Sequence, residues 1–242
     1  MRLTAVQLRP VSGDIEENIR RHLRLIDVAT SEGSAFVFFP ELSLTGYEPK
    51  LARQLATDRD DPRLRVFQEL SDERNAVIGI GCPTAACGGI RISMFFFQPR
   101  TTCKSYSKQR LHADELPYFV SGDEPIVLRM ANHTLAPAIC YESLQLSHAE
   151  KAAREGAGIY LASVAKSVAG VARAYAHYPR IAKQHAMMVL MANCLGSCDN
   201  FVAVGQSSVW DSQGRVLGAL DDTREGVLTA DTDTGQVSVV HL

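Results

Sequence analysis

Five short apolar runs constrain this chain most. They are "AFVFF" (35–39), "AVIGIGCP" (76–83), "TLAPAIC" (134–140), "IYLASVA" (159–165) and "MVLMAN" (188–193). Each has strand length and is apolar on successive positions, so it predicts a strand buried on both faces. Amphipathic helical stretches separate them. "DIEENIRRHLRLIDVATSEG" (14–33) has Asp14 as N-cap, apolar spacing at Ile19, Leu23, Ile26 and Val28, and Gly33 as stop. Further helices are predicted over 62–75, opened by Pro62, over 143–157, and over 173–186 around Pro179. "LTAVQL", "ISMFFFQ", "TCKSYSK" and "IVLRM" add strands, and "LSLTGYEPK" is a loop rich in turn residues. The tail is strand after strand: "FVAVGQSSVWDS", "VLGAL", "GVLTADT" and "QVSVV". This mixture predicts an α/β fold in which sheets pack on each other and helices cover the outside.

No repeat, linker or shift in composition divides the 242 residues, so a single domain over 1–242 is expected. A net charge of −2 argues against nucleic-acid and anionic-membrane partners. No run is long and apolar enough to cross a bilayer, and "MRLTAVQLRPVSGD" lacks a signal-peptide pattern. The expectation is a cytoplasmic protein whose six cysteines are reduced. Cys82 with Cys87 and Cys194 with Cys198 come close to metal spacing, but neither has the C-x-x-C step with a matching second pair or clustered histidines, and no metal or cofactor is expected.

Cys140 closes a strand-like run, and the polar "YESLQ" follows at once. On residues alone it reads either as a buried structural thiol, the commoner case, or as a nucleophile. A Cys–His pair is not favoured, because no histidine has a clear orienting partner by spacing. Residues 138–142, "AICYE", also lack the glycines of a nucleophile elbow. Glu41, after Pro40 at the end of "AFVFFPE", reads as a water-exposed loop carboxylate or as a partly desolvated base. Lys108, at the end of "SYSK", has the same two readings as a surface or a functional lysine.

Taken together, "FFPELSLTGY", "YSKQRL" and "ICYES" resemble, in this order, the three signature segments of the nitrilase superfamily of carbon–nitrogen hydrolases, and most closely its amidase-like branch. "VLMANCLG" and "GQSSVWDSQGRVL" are similar to later segments of the same family. The resemblance implies a four-layer α-β-β-α sandwich with a Glu–Lys–Cys triad. It makes Cys140 the nucleophile and Glu41 the general base. Lys108 becomes the oxyanion stabiliser, aided by the backbone N–H of Tyr141. Glu115 in "LHADELPYF" resembles a second glutamate that positions substrate and Lys108, and Glu142 an orienting group.

The implied reaction is hydrolysis of a small amide through a Cys thioester, releasing ammonia, with a homodimer or higher homo-oligomer as the assembly. N-carbamoyl amino acid hydrolysis, nitrile hydrolysis, acyl transfer and a non-catalytic binding protein of the same fold remain alternatives. The chain departs from the family pattern after Glu142, at Ala165 and Lys166, at Gln184 and at Ser212. Tyr47, Tyr141 and Lys166 are the expected substrate-binding residues. Lys166, with Arg173 nearby, is expected at the pocket rim, where it would hold a carboxylate of the substrate. That would fit a short monoamide of a dicarboxylic acid or an N-carbamoyl amino acid.

Overall fold

The computed structural model describes residues 1–123 and 127–242. In chain order the elements are β1 (Arg2–Gln7), α1 (Ile15–Ser31), β2 (Phe36–Phe38), α2 (Ala52–Leu55), α3 (Arg65–Arg74), β3 (Val77–Ala86), β4 (Gly89–Phe97) and β5 (Lys104–Ser107). There follow β6 (Leu128–Met130), β7 (His133–Ile139), α4 (Leu146–Arg154), β8 (Ile159–Val164), α5 (Val168–His185), β9 (Met188–Asn193), β10 (Leu195–Cys198) and β11 (Phe201–Val204). The chain closes with β12 (Ser208–Trp210), β13 (Val216–Ala219), β14 (Gly226–Asp231) and β15 (Val237–His241).

Among the described residues two large sheets form, in the orders β15-β14-β1-β2-β3-β4-β5 and β13-β12-β9-β8-β7-β6. The central strands run parallel, β1 with β2 and β3 in one sheet, β7 with β8 and β9 in the other. Successive side chains of a strand point to opposite faces. In β1 and β2, Leu3, Ala5, Phe36 and Phe38 face a core shared with Leu135, Ile139, Leu161 and Leu190 of the second sheet. Val6, Val37 and Phe39 face Ile15, Ile19 and Ile26 of α1. In the second sheet Ala136, Ala138 and Tyr160 face Ala149 of α4 and Ala174, Tyr178 and Ile181 of α5. The layers are therefore α-β-β-α. Because both faces of each sheet are covered, the central strands read as unbroken apolar runs.

Several boundaries differ from those expected. Asp14 does cap α1, accepting from Glu17 N at 3.0 Å. The stretch expected as one helix over 143–157 is instead a 3₁₀ turn, Cys140–Leu144, followed by α4. Helix α5 begins at Val168, five residues before the expected 173, and continues through Pro179. "FVAVGQSSVWDS" is two strands, because Gly205 and Gln206 both take positive φ, 60° and 58°, and turn the chain. β11 then pairs with β10 as a separate hairpin. Of the expected strand "IVLRM", Ile126 lies outside the described residues.

Candidate active site

Glu41, Lys108 and Cys140 each follow the carboxyl end of a strand, and ligands of α/β sheets gather outside such ends. Three local devices set their positions. Glu41 lies in a tight turn in which Leu42 has φ 52°. A Cβ on Gly81 would stand 2.6 Å from both Pro40 O and Leu42 N, so only glycine lets this turn lie on β3. On the outer side Asn18 and His22 of α1 hold the same turn. Asn18 Nδ2 donates to Leu44 O at 3.0 Å, and His22 Nε2 lies 2.9 Å from Ser43 Oγ. Burial holds the His22 imidazole near a pKa of about 4, so it serves there as a neutral ring.

Lys108 continues the β5 edge, its N–H donating to Ile92 O at 2.8 Å. Gly122 N donates to Lys108 O at 2.7 Å, and a Cβ on Gly122 would meet Ser107 O at 2.4 Å. The Lys108 side chain has no exposed surface. Its Nζ donates to Glu41 Oε1 at 2.7 Å and to Glu115 Oε1 at 2.6 Å. Glu115 is itself pinned, accepting from Tyr47 Oη at 2.9 Å and from His112 N at 2.7 Å.

Cys140 opens the 3₁₀ turn with φ 45°, a left-handed conformation uncommon for a residue bearing a Cβ. Glu142 fixes that turn. Its Oε1 accepts from Ile139 N at 2.8 Å and from Tyr106 Oη at 2.6 Å, while Oε2 accepts from Gln109 N at 2.7 Å. One buried carboxylate thereby ties the cysteine turn to the residue after Lys108. Tyr178 of α5 holds the turn from the other side through Ser143 Oγ at 2.7 Å.

The electrostatics follow from one buried ammonium between two buried carboxylates. Desolvation raises the Glu41 pKa; Lys108 opposes it, the Glu115 charge adds to it, and the result is about 7. Burial would lower the Lys108 pKa, but the Glu41 and Glu115 charges outweigh it and raise it. Desolvation and the Glu41 charge push the Cys140 thiol up to about 11, against the lowering effects of Lys166 and Lys108. Glu41 Oε2 has no hydrogen-bond partner among the described residues. The Cys140 thiol lies close enough to the Glu41 carboxyl group to favour its charged form. A rotation of the thiol would let its proton pass to this carboxylate. In its observed orientation the thiol donates to Ala165 O at 3.6 Å.

These groups open on a cavity of about 200 Å³, bordered by Tyr47, Glu115, Cys140, Tyr141, Lys166 and Phe201 among others. Tyr141 is the second residue of the 3₁₀ turn, where amides have no partner within the turn. Its ring is half-exposed, edge-on to His112 at 5.3 Å. A thiol and a turn amide at a cavity, backed by a buried carboxyl group and a buried ammonium, are the parts needed for acyl transfer.

A sequence model described as carbon-nitrogen hydrolase matches residues 2–241. The chain belongs to the carbon–nitrogen hydrolase family. Glutamine-dependent NAD(+) synthetases are among its curated relatives. That of Thermotoga maritima is 27% identical over 253 residues, covering 96% of this chain and 42% of the relative. That of Aquifex aeolicus is 25% identical, covering 98% and 43%. The chain thus spans less than half the length of these relatives. Among solved structures, the NitN amidase of Nesterenkonia sp. AN1 shares the fold at a TM-score of 0.88 and 23% identity, covering 96% of this chain and 92% of that one. A variant of the same amidase in complex with butyramide matches at a TM-score of 0.86 and 22% identity, covering 100% and 90%.

In this family member the structure brings Tyr47, Glu115, Cys140, Tyr141 and Lys166 around one cavity, with Glu41 and Lys108 wholly buried behind its wall and joined to it through Glu115. Tyr47 borders the cavity, as expected of a substrate-binding residue, and is also bonded to Glu115, so it braces the charge cluster. One expectation needs correction. Lys166 is not at the rim: it is 4% exposed, and its Nζ lies 3.8 Å from Cys140 Sγ. The strand β8 ends deeper than its sequence suggests, because Asn193 grips the Lys166 backbone on both sides. Lys166 N donates to Asn193 Oδ1 at 2.8 Å, and Asn193 Nδ2 donates to Lys166 O at 3.1 Å. Arg173, expected beside it, does stand exposed at the same cavity.

Sequence reasoning missed Asn18, His22, Ser43, Ser163 and Asn193. Ser163 Oγ donates to Phe39 O at 2.8 Å and joins the two sheets beneath the site. A polar residue repeated on the apolar face of α1 was the available signal for Asn18 and His22. Among the described residues, no helix is long and apolar enough to cross a membrane.

Proposed function

We propose that this chain is an amidase, hydrolysing a small carboxamide through a thioester on Cys140 and releasing ammonia. The observation that carries this reading is the convergence of the buried Glu41–Lys108–Glu115 cluster on the thiol of a strained turn. Cys140 gives its proton to Glu41, and the sulfur attacks the carbonyl carbon. The oxyanion formed is held by Lys108 Nζ and the Tyr141 N–H. The C–N bond breaks as protonated Glu41 returns its proton to the leaving nitrogen. Glu41 then takes a proton from water, which attacks the thioester and releases the acid and the thiol. Glu115 holds Lys108 in place, with Tyr47 and His112 N fixing Glu115.

The names of the relatives support the reading from two sides. The solved neighbours are structures of an amidase with an active-site cysteine, one carrying added acrylamide there. The curated relatives are glutamine-dependent, so the side-chain amide of glutamine belongs among the candidate substrates. The test is a panel of small aliphatic amides, glutamine, N-carbamoyl compounds and nitriles, scored by ammonia release. Turnover of an amide in preference to the matching nitrile and carbamoyl compound supports the reading. Silence across the panel, with a Cys140 thiol of ordinary reactivity, would instead favour a non-catalytic member of the fold.

A pH profile provides a second check. Glu41 must be unprotonated to accept the thiol proton, and its pKa is about 7, so kcat/KM rises as pH increases through about 7. Glu41→Gln is expected to lower kcat by about a hundredfold to ten-thousandfold and to abolish that rise. An acid limb near the ordinary carboxylate range, or a Gln variant of near-normal rate, would remove Glu41 from this role.

A further inference from the structure

Among the described residues, Lys166 is a buried cation with no carboxylate in salt-bridge range. Its side chain runs down the wall of the cavity, against α5. A Cβ on Gly170 would stand 3.1 Å from Lys166 Cβ and 3.3 Å from its Cγ, so the stem packs tightly against the helix at this glycine. Among the described residues the Nζ has one hydrogen-bond partner, Cys140 Sγ at 3.8 Å. Burying an ammonium is unfavourable unless an anion meets it. Two anions are available in principle: the sulfur once it loses its proton, and a carboxylate carried by the substrate.

The charges around the sulfur favour the first. Glu41 and Glu115 are the carboxylates that face it, and Lys108 and Lys166 the cations. Tyr47, Tyr178 and Cys194 also lie close enough to feel its charge; burial raises the pKa of the two tyrosines, and the contact with Cys198, together with burial, raises that of Cys194. Lys166 in turn faces His177 across α5. With both carboxylates ionised, two negative charges balance two positive ones. When the proton moves from Cys140 to Glu41, the negative charge leaves the side of Lys108 and arrives beside Lys166. The cluster stays neutral in both states, and this holds only because Lys166 is there. Without it, the thiolate would form in a site whose remaining cation, Lys108, already pairs with the Glu115 carboxylate and the Glu41 carboxyl group.

We propose that Lys166 is a catalytic residue, whose ammonium pairs with the Cys140 thiolate. It would act twice, when the sulfur attacks the amide and when the sulfur leaves the thioester. This rests on the amidase reading for its chemistry, but it also makes a claim about the free enzyme. Asn193 is the positioning residue, since it fixes the backbone from which Lys166 reaches the sulfur.

The test uses the intact chain and the neutral reagent iodoacetamide, with peptide mapping to follow Cys140 alone. The rate of alkylation is measured against pH in the wild type, Lys166→Met and Lys166→Arg. An opposite charge at this range shifts a pKa by about one to three units. The midpoint for Lys166→Met is therefore expected at least about one pH unit higher, with Lys166→Arg close to the wild type. Lys166→Gln replaces the Met variant if that one does not fold. For turnover, an amide bearing a free carboxylate and its methyl ester should lose kcat by the same factor. An unchanged midpoint would overturn the proposal, as would a shift in Lys166→Arg as large as in Lys166→Met. An unchanged midpoint with KM raised for the acid but not the ester would make Lys166 a carboxylate binder. Wild-type turnover of amides would survive either result, so the amidase reading is judged separately.

Discussion

Cys140→Ala is expected to bring amide turnover to the background rate, a loss of about a millionfold, as when the nucleophile of a catalytic triad is removed. The other five cysteines offer no substitute. Cys82, Cys194 and Cys198 are buried, while Cys87 is exposed and Cys103 half-buried. Neither Cys87 nor Cys103 borders the cavity. The variant should fold, because alanine keeps the same left-handed backbone position and only a sulfur atom is lost. Its melting temperature should lie close to that of the wild type, while ammonia release falls to the uncatalysed level. A variant that melts normally and keeps measurable turnover would show that the sulfur is not the nucleophile.

Lys108→Met has the second large effect, and it reaches stability as well as rate. On sequence alone Lys108 reads as a surface lysine or a functional one at a strand end. The structure finds it wholly buried between Glu41 and Glu115. Removing one partner of a buried ion pair typically costs about 3–5 kcal/mol. Loss of the oxyanion donor adds a hundredfold to thousandfold fall in kcat, roughly. The stability loss should depend on pH. The Glu41 pKa is raised on folding, from 4.5 to about 7, so its favourable contribution is complete below about 4.5 and is lost as pH rises through about 7. Without Lys108, which lowers that pKa, the window extends to higher pH. The melting deficit of Lys108→Met should therefore be smaller at pH 5 than at pH 8. A deficit independent of pH would mean that the two carboxylates are not coupled through this lysine.

The parts of this site that sequence shows are those set by local pattern. Glu41, Lys108 and Cys140 stand at predicted strand ends, but only the resemblance separates them from a loop carboxylate, a surface lysine and a structural thiol. The layered fold is legible from local pattern, since strands buried on both faces require cover on both sides. Glu115 is visible only through resemblance, because nothing in "LHADELPYF" announces a buried carboxylate. The depth of Lys166 depends on Asn193 and on Gly170, distant in sequence or on another element, so a strand end and a rim look alike until those contacts form. Asn18 and His22 occupy the buried face of an amphipathic helix, where polar residues dilute the pattern that identifies them. The early start of α5 is hidden because "VAGVA" combines β-branched residues with glycine, both weak helix formers.

The central claim is a covalent acyl group on Cys140. The most direct test is rapid acid quenching during turnover of an amide that releases ammonia, followed by peptide mass mapping. The predicted result is a mass increase equal to the acyl group on the peptide carrying Cys140, rising before steady state and absent from Cys140→Ala. Ammonia release at full rate with Cys140 unmodified throughout, or with the acyl group on another residue, would contradict it.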